Sequence, residues 1–239
     1  MTQMIWSSLA QLFTPFDAAA LIFLLAAWVT MAWRIENPPK NHPSVSFLMA
    51  QFRRDWMEQM ITRDPRIFDA QMIGHLRQGA AFFASATMLA IGGGLALVGN
   101  TEPLNTVAAT LTLGDSPALL WEIKLILILL LISSAFLKYV WSHRLFGYTA
   151  VLMSAVPNDP THPDCAHRAD QAGQILILAS RAFTRGMRTT YFALAACAWL
   201  LGPTALVAAT LATLTMLWRR EFSSNAREAL LSTPNPTKT

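Results

Sequence analysis

Two histidines are placed where they could bind a haem iron. His75 comes just before the second apolar stretch of the sequence and His143 follows the third. Neutral imidazole is a good axial ligand for a b-type haem. No spacing motif links the two residues, and the alternative is that each is a polar residue at a membrane interface. The sequence therefore favours a protein without a cofactor and keeps haem as an alternative.

A short polar loop brings three possible zinc ligands close together. His162, Cys165 and His167 fall within six residues, and imidazole and thiolate are the ligands that zinc prefers. Their spacing matches no standard zinc pattern, and the loop is rich in proline. We therefore expect no metal here, with this trio as the candidate set if one binds.

Three charged residues lie at the ends of apolar stretches. Asp17 opens the first stretch, and Glu122 and Lys124 lie in the first turns of the third. Ionisable groups within membrane helices are candidate functional residues. These three lie near an end of each stretch, so they could pair with one another or reach water.

The densest basic region of the chain suggests a docking surface. It contains one tryptophan and five arginines: Arg53, Arg54, Trp56, Arg63, Arg66 and Arg77. Such a set can bind lipid headgroups or an acidic partner. No phosphate-binding loop and no nucleophile motif accompanies it in the sequence. The set favours binding rather than catalysis.

The composition predicts a membrane protein. The chain has 239 residues, of which 54% are hydrophobic and 13% are charged, whereas soluble domains carry about 25% charged residues. The net charge of +4 comes from basic residues that flank apolar stretches, where anionic lipids attract them. We therefore expect the lipid bilayer as the partner, together with other membrane-protein subunits, and no nucleic acid.

Four apolar segments define the predicted spans: residues 16–33, 79–99, 118–141 and 191–218. Each approaches the length that crosses about 30 Å of hydrocarbon. The predicted fold is an all-α integral membrane bundle, with residues 1–222 as a single transmembrane domain and residues 223–239 as a frayed polar tail. Gly202-Pro203 interrupts the last segment, so it is either one helix or a hairpin, and we favour the hairpin, which gives five helices.

Amphipathic helices are predicted between the spans. Residues 44–63 carry an apolar stripe that suits a membrane surface or another helix, formed by Val45, Leu48, Met49, Phe52, Trp56 and Met60. Asp64-Pro65 predicts the start of the next helix. Residues 145–170 are expected to form a loop, followed by a short helix that contains Arg181, Arg185 and Arg188.

The distribution of charge predicts the orientation. Residues 34–78 contain seven Lys or Arg, residues 138–188 contain six, and residues 100–117 contain none. Short basic loops stay in the cytoplasm. We therefore expect the N-terminus outside and the basic loops in the cytoplasm of a bacterial cell, with the chain in the inner membrane.

Small residues suggest where helices pack closely. Ala80, Ala84, Gly92 and Ala96 follow helical spacing in the second span, and small residues let helix backbones approach each other in a membrane.

Several segments resemble a known membrane family. They are RRDWMEQMITRDPRIFDAQMIGHLRQGAAFFASATMLAIGGGLALVG at 53–99, KYVWSHRLFGYTAVLMSAVP at 138–157, FTRGMRTTYFALAACAWL at 183–200 and WRREF at 218–222. Together they resemble the domain-of-unknown-function 599 family of bacteria and plants. The resemblance implies a small protein with about four spans, and it assigns no activity and no catalytic residue.

Three functions remain open at this point. The first is a non-enzymatic subunit that assembles with other membrane proteins. The second is a carrier or channel for a small solute, with Gly92-Gly93-Gly94 and Gly202-Pro203 as moving parts. The third is a haem-binding redox subunit.

Overall fold

The computed structural model describes residues 14–102 and 118–232, and these residues form helices without any strand. Seven α-helices and one short 3₁₀ turn are defined within these ranges. They are α1 Pro15–Glu36, α2 Val45–Met60, α3 Ile67–Val98, α4 Ala118–Ser154, α5 Cys165–Cys197, the 3₁₀ turn Ala198–Leu201, α6 Pro203–Phe222 and α7 Asn225–Leu231. The all-α fold predicted from the sequence is confirmed.

Three of these helices, α1, α3 and α4, are long and apolar enough to cross a membrane. Helix α1 begins with a capping box, in which Thr14 and Asp17 each bind the backbone N–H of the other. This arrangement satisfies amide groups that a helix start otherwise leaves unpaired. The fourth apolar segment, 191–218, is divided between the end of α5, the 3₁₀ turn and α6.

The apolar core has two parts. One part joins α1, the first half of α4, the end of α5 and α6, around Leu24, Phe192 and Trp199. The other joins α2, the start of α3, the second half of α4 and the first half of α5, around Met60, Phe146 and Leu176. Helices α4 and α5 therefore run through both parts and hold the bundle together.

The chain reverses at Gly202, which has φ of 114°. L side chains rarely adopt this value and glycine adopts it readily. Pro203 then begins α6, which returns along α5 so that Arg220 donates a hydrogen bond to the Tyr191 hydroxyl at 3.1 Å. The two halves of the segment thus form a hairpin, of which α6 packs mainly against α1.

Several predicted boundaries were wrong. Helix α4 continues to Ser154, well past the predicted loop start at 145, because Leu145, Phe146 and Met153 are buried in the second core. For the same reason α5 is a single helix of 33 residues rather than a loop followed by a short helix. The true loop is confined to the proline-rich residues 155–164.

Two smaller corrections concern helix ends. Helix α3 begins at Ile67 and not at Pro65, and Arg66 precedes it as the N-cap with a non-helical ψ of 31°. The Arg66 guanidinium donates hydrogen bonds to the carbonyls of Val156 and Pro157. The predicted tail contains α7, capped by the Ser224 side chain. Arg227 ties it to the Pro43 carbonyl at 2.9 Å, and the rest of the predicted tail, 233–239, lies outside the described residues.

Helix α2 packs on other helices of the bundle and its buried side differs slightly from the predicted stripe. Leu48 and Met60 are buried as expected, but Met57 takes the place of Phe52, which is 46% exposed. Met57 lies against Gly173 of α5, where a Cβ atom would be 3.4 Å from Met57 Cγ.

Candidate functional site

The most unusual group of polar residues surrounds Glu36, at the end of α1. Its Oε1 accepts hydrogen bonds from Arg185 Nε and from Arg188, both at 2.7 Å. Arg185 also pairs with Oε2, so its guanidinium binds the carboxylate with two nitrogens. Such two-point contacts fix the geometry of an ion pair. They hold α1 against the middle of α5.

Lys138 of α4 completes this group. Its Nζ donates to Thr189 Oγ1 at 2.8 Å and to Ser134 Oγ at 2.9 Å, and it lies 4.9 Å from the centre of the Trp28 ring. A cation over an aromatic face is stabilised by the ring quadrupole. We call Glu36, Lys138, Arg185, Arg188 and Thr189 the Glu36 cluster.

The Glu36 cluster lines a cavity of about 260 Å³. The remaining wall is formed by α1 side chains, namely Trp28, Val29, Ala32 and Trp33. Three cations and one carboxylate therefore face the same space. This arrangement suits an anion better than any other class of ligand.

Close helix packing sets the position of Lys138 and Arg185. Next to them, Gly186 of α5 faces the ring of Tyr139 on α4, and a Cβ atom at Gly186 would be 2.7 Å from Tyr139 Cε1. The tyrosine is fully buried, and its hydroxyl lies 3.0 Å from Thr190 Oγ1. The glycine thus permits the approach that brings α4 and α5 cations together.

A second polar group lies at the other end of α1. Trp199 donates its indole N–H to Asp17 Oδ1 at 2.9 Å, and Lys124 donates to the Trp199 carbonyl at 2.9 Å. Asp17 and Lys124 thus meet through Trp199, whereas Glu122 remains half-buried. Both charges are used to fasten helix ends, which favours a structural role.

The predicted docking set is largely used inside the molecule. Trp56 and Arg63 both bind the buried carboxylate of Asp69, the former at 2.6 Å. Arg66 binds two loop carbonyls, each at 2.8 Å. Arg54 is exposed and Arg53 is half-buried. Arg53 and Arg54 therefore keep a guanidinium with neither an ion pair nor a side-chain hydrogen bond among the described residues.

The two predicted haem ligands have different surroundings. Both ring nitrogens of His143 contact Arg77. His143 Nε2 lies 3.4 Å from Arg77 Nε, and His143 Nδ1 lies 3.3 Å from the Arg77 carbonyl oxygen. His75 is exposed. Haem binding by this pair stays a prediction.

The predicted metal ligands serve the 155–164 loop in other ways. Cys165 is buried with its Sγ 3.7 Å from the Pro157 carbonyl, and His162 Nδ1 accepts from the Asp164 N–H at 3.2 Å. Nearby, hydrogen bonds from the Thr161 hydroxyl and N–H hold the pKa of Asp159 below its ordinary value. His167 is exposed, and residues 14–102 and 118–232 contain no group of three such side chains placed to hold a metal ion.

The small-residue face of α3 divides into two parts. Ala80 is fully buried and Ala84 is half-buried, whereas Gly92 and Ala96 are exposed. The close approach to α4 occurs at Gly94, where a Cβ atom would be 2.5 Å from Leu129 Cδ2. The sequence analysis did not single out Gly94 as the contact point, because it is one of three consecutive glycines. It missed Glu36 because the arginines that bind it are about 150 residues away in the chain.

Comparison with known proteins identifies a family. The family described as "Protein of unknown function, DUF599" matches residues 19–226, which cover α1 from its second turn and all of α2 to α6. No curated protein and no solved structure shows a significant match to the chain. The chain therefore belongs to the DUF599 family.

Proposed function

We propose that the protein is a non-enzymatic subunit of a membrane assembly, and that α3 packs against a transmembrane helix of another membrane protein. The supporting observation is the exposure of α3. Only 11% of its most apolar window is buried, compared with 28% in α1 and 39% in α4. Helix α3 packs mainly against α4, which leaves most of its circumference open.

The open face of α3 has the shape that a second helix needs. Gly92 and Ala96 are four residues apart and exposed, and a Cβ atom at Gly92 would meet nothing within 4 Å. Leu89 and Leu95, which are 79% and 59% exposed, lie on either side of Gly92 on the helix surface. Small residues spaced in this way let two helix backbones approach closely in lipid.

Crosslinking in native membranes tests this proposal. A photoreactive residue at Ser85 is expected to give a discrete protein adduct that disappears when Gly92 and Ala96 are replaced by leucine. The matched control is Ala26→Leu, at an exposed position of the α1 span. Adducts with lipid alone, or adducts unaffected by the leucines, would overturn the proposal. An adduct at twice the monomer mass would also overturn it, since the partner would then be a second copy.

The proposed setting is the inner membrane of a bacterium, with the N-terminus outside and the basic loops in the cytoplasm. The concentration of Lys and Arg in residues 34–78 and 138–188 supports this orientation. In the hairpin, Arg220 lies beside Tyr191 and so returns toward the Glu36 end of the bundle. A reporter fused after Thr239 should therefore be active in the cytoplasm, and periplasmic activity would contradict this topology.

Two further functions stay predictions with direct tests. Flux of a solute across liposomes that contain the purified protein would support a carrier or channel and count against a purely structural subunit. A Soret band in the purified protein would support haem binding through His75 and His143.

A further inference from the structure

The charges that line the cavity of the Glu36 cluster do not balance. Lys138, Arg185 and Arg188 face it with Glu36 as the one lining carboxylate, which leaves a net charge of +2. The next charged neighbours, Arg181 near Glu36 and Glu221 near Arg188, cancel each other. The surplus of positive charge therefore persists over the whole neighbourhood.

The cavity also contains unused hydrogen-bond donors. Arg188 is 5% exposed, and its Nε is buried without a hydrogen-bond partner among the described residues. Buried polar groups without partners are rare and indicate a missing ligand or water. Lys138 has three N–H donors, of which its contacts with Ser134 and Thr189 use two. Both residues could donate to a phosphate oxygen.

The wall opposite the cations is apolar and open to the outside of the bundle. Val29 and Trp33 of α1 are 60% and 64% exposed, and α1 is one of the three helices suited to cross a membrane. A ligand here would meet cations at one end and a lipid-facing helix at the other. That combination matches an amphiphile with an anionic head.

From this geometry we infer that the cavity binds the headgroup phosphate of an anionic membrane phospholipid. Its volume of about 260 Å³ lies below the roughly 300–1,000 Å³ of pockets that enclose whole ligands. It therefore holds the head, and the acyl chains lie along Val29 and Trp33 outside it. The net charge of +2 selects phosphatidylglycerol over phosphatidylcholine, whose head is neutral overall.

Native mass spectrometry of the full chain with each lipid tests the inference. Phosphatidylglycerol should bind more tightly than phosphatidylcholine, and Lys138→Gln should weaken its binding by about fivefold, the usual effect of one cation near an anionic lipid. Glu36→Gln should increase the preference. The matched control is Arg144→Gln, which removes one charge from an arginine that also lies over aromatic rings, Trp141 and Tyr148, outside the cavity.

Each result is read as the ratio of the two lipid affinities within one variant, so a general loss of stability does not affect it. A second measurement, the rise in melting temperature on adding each lipid, should show the same order. Equal binding of both lipids, or equal loss in Lys138→Gln and Arg144→Gln, would overturn the inference. Stabilisation by glycerol 3-phosphate as large as that by phosphatidylglycerol would also overturn it, because the site would then serve a soluble phosphate.

Discussion

Replacing Gly186 by alanine tests whether the contact between α4 and α5 is as close as described. The new Cβ would lie 2.7, 2.9 and 3.0 Å from Cε1, Cδ1 and Cζ of Tyr139. The ring cannot move aside easily, because Phe83 stacks on it at 5.4 Å and Phe183 lies at 5.7 Å. We therefore expect the cost of overpacking a rigid core, about 1–3 kcal/mol.

Helix propensity acts in the opposite direction and must be subtracted. Alanine is favoured over glycine within a helix by roughly 0.5–1 kcal/mol. Gly147→Ala in α4 provides this reference, since its Cβ would meet nothing within 4 Å. Relative to that control, Gly186→Ala should lower the folding equilibrium constant by about 5- to 140-fold, since every 1.4 kcal/mol is tenfold.

The assay is equilibrium unfolding in mixed micelles with increasing sodium dodecyl sulfate, followed by circular dichroism. A double variant sharpens it: in a Tyr139→Leu background the difference between Gly186→Ala and Gly147→Ala should shrink toward zero, because the rigid ring is gone. If Gly186→Ala instead stabilises the protein as much as Gly147→Ala does, the close contact described for Gly186 and Tyr139 does not exist.

Three other variants or labels test separate contacts. Thr14→Ala removes the cap of α1 and should destabilise the protein by about 1 kcal/mol. Thr30→Ala, whose hydroxyl bonds only within α1, should have little effect in the same unfolding assay, and equal effects of the two variants would contradict the capping. Arg66→Ala breaks two hydrogen bonds to the 155–164 loop and should cost about 1.5–3 kcal/mol and expose that loop to protease, unlike the exposed Arg54→Ala. Cys165 is 1% exposed and should react with a maleimide only after denaturation. The exposed Cys197 should react with a membrane-permeant maleimide in the folded protein. Fast labelling of Cys165, measured by mass spectrometry, would contradict its burial.

Three helices long and apolar enough to cross a membrane were predictable, because such a run of apolar residues is visible in the sequence itself. The apolar runs at 16–33 and 118–141 fall within α1 and α4, and the run at 79–99 lies in α3 except for its last residue. The extensions of α4 and α5 were missed because the proline-rich run at 157–164 led to the prediction of a loop over residues 145–170, although residues 145–153 are largely apolar. Burial of Phe146 and Met153 against α5 keeps this segment helical. Because α5 lies further along the chain, this contact leaves no signal in the local sequence.

The candidate site shows the same limit more strongly. The sequence marks the five arginines of residues 53–77 because they are dense. In the fold, however, Arg63 pairs with Asp69 and Arg66 binds the loop carbonyls. Glu36 and Lys138 stand alone in the sequence and meet only through the fold, together with Arg185 and Arg188. Charge density along a chain indicates orientation, whereas the grouping of charges in space depends on which helices pack together.

The length of α4 has a consequence for how the protein coheres. Its 37 residues extend roughly 55 Å at 1.5 Å per residue, nearly twice the roughly 30 Å of a hydrocarbon layer. If the apolar first half of α4 crosses a hydrocarbon layer, its second half, around Phe146, must therefore extend beyond that layer. The part of the core around Phe146 would then be held by exclusion of water and should loosen in urea or in the cold. The part around Trp199, which packs on the first half of α4, should instead respond to the thickness and composition of the surrounding lipid.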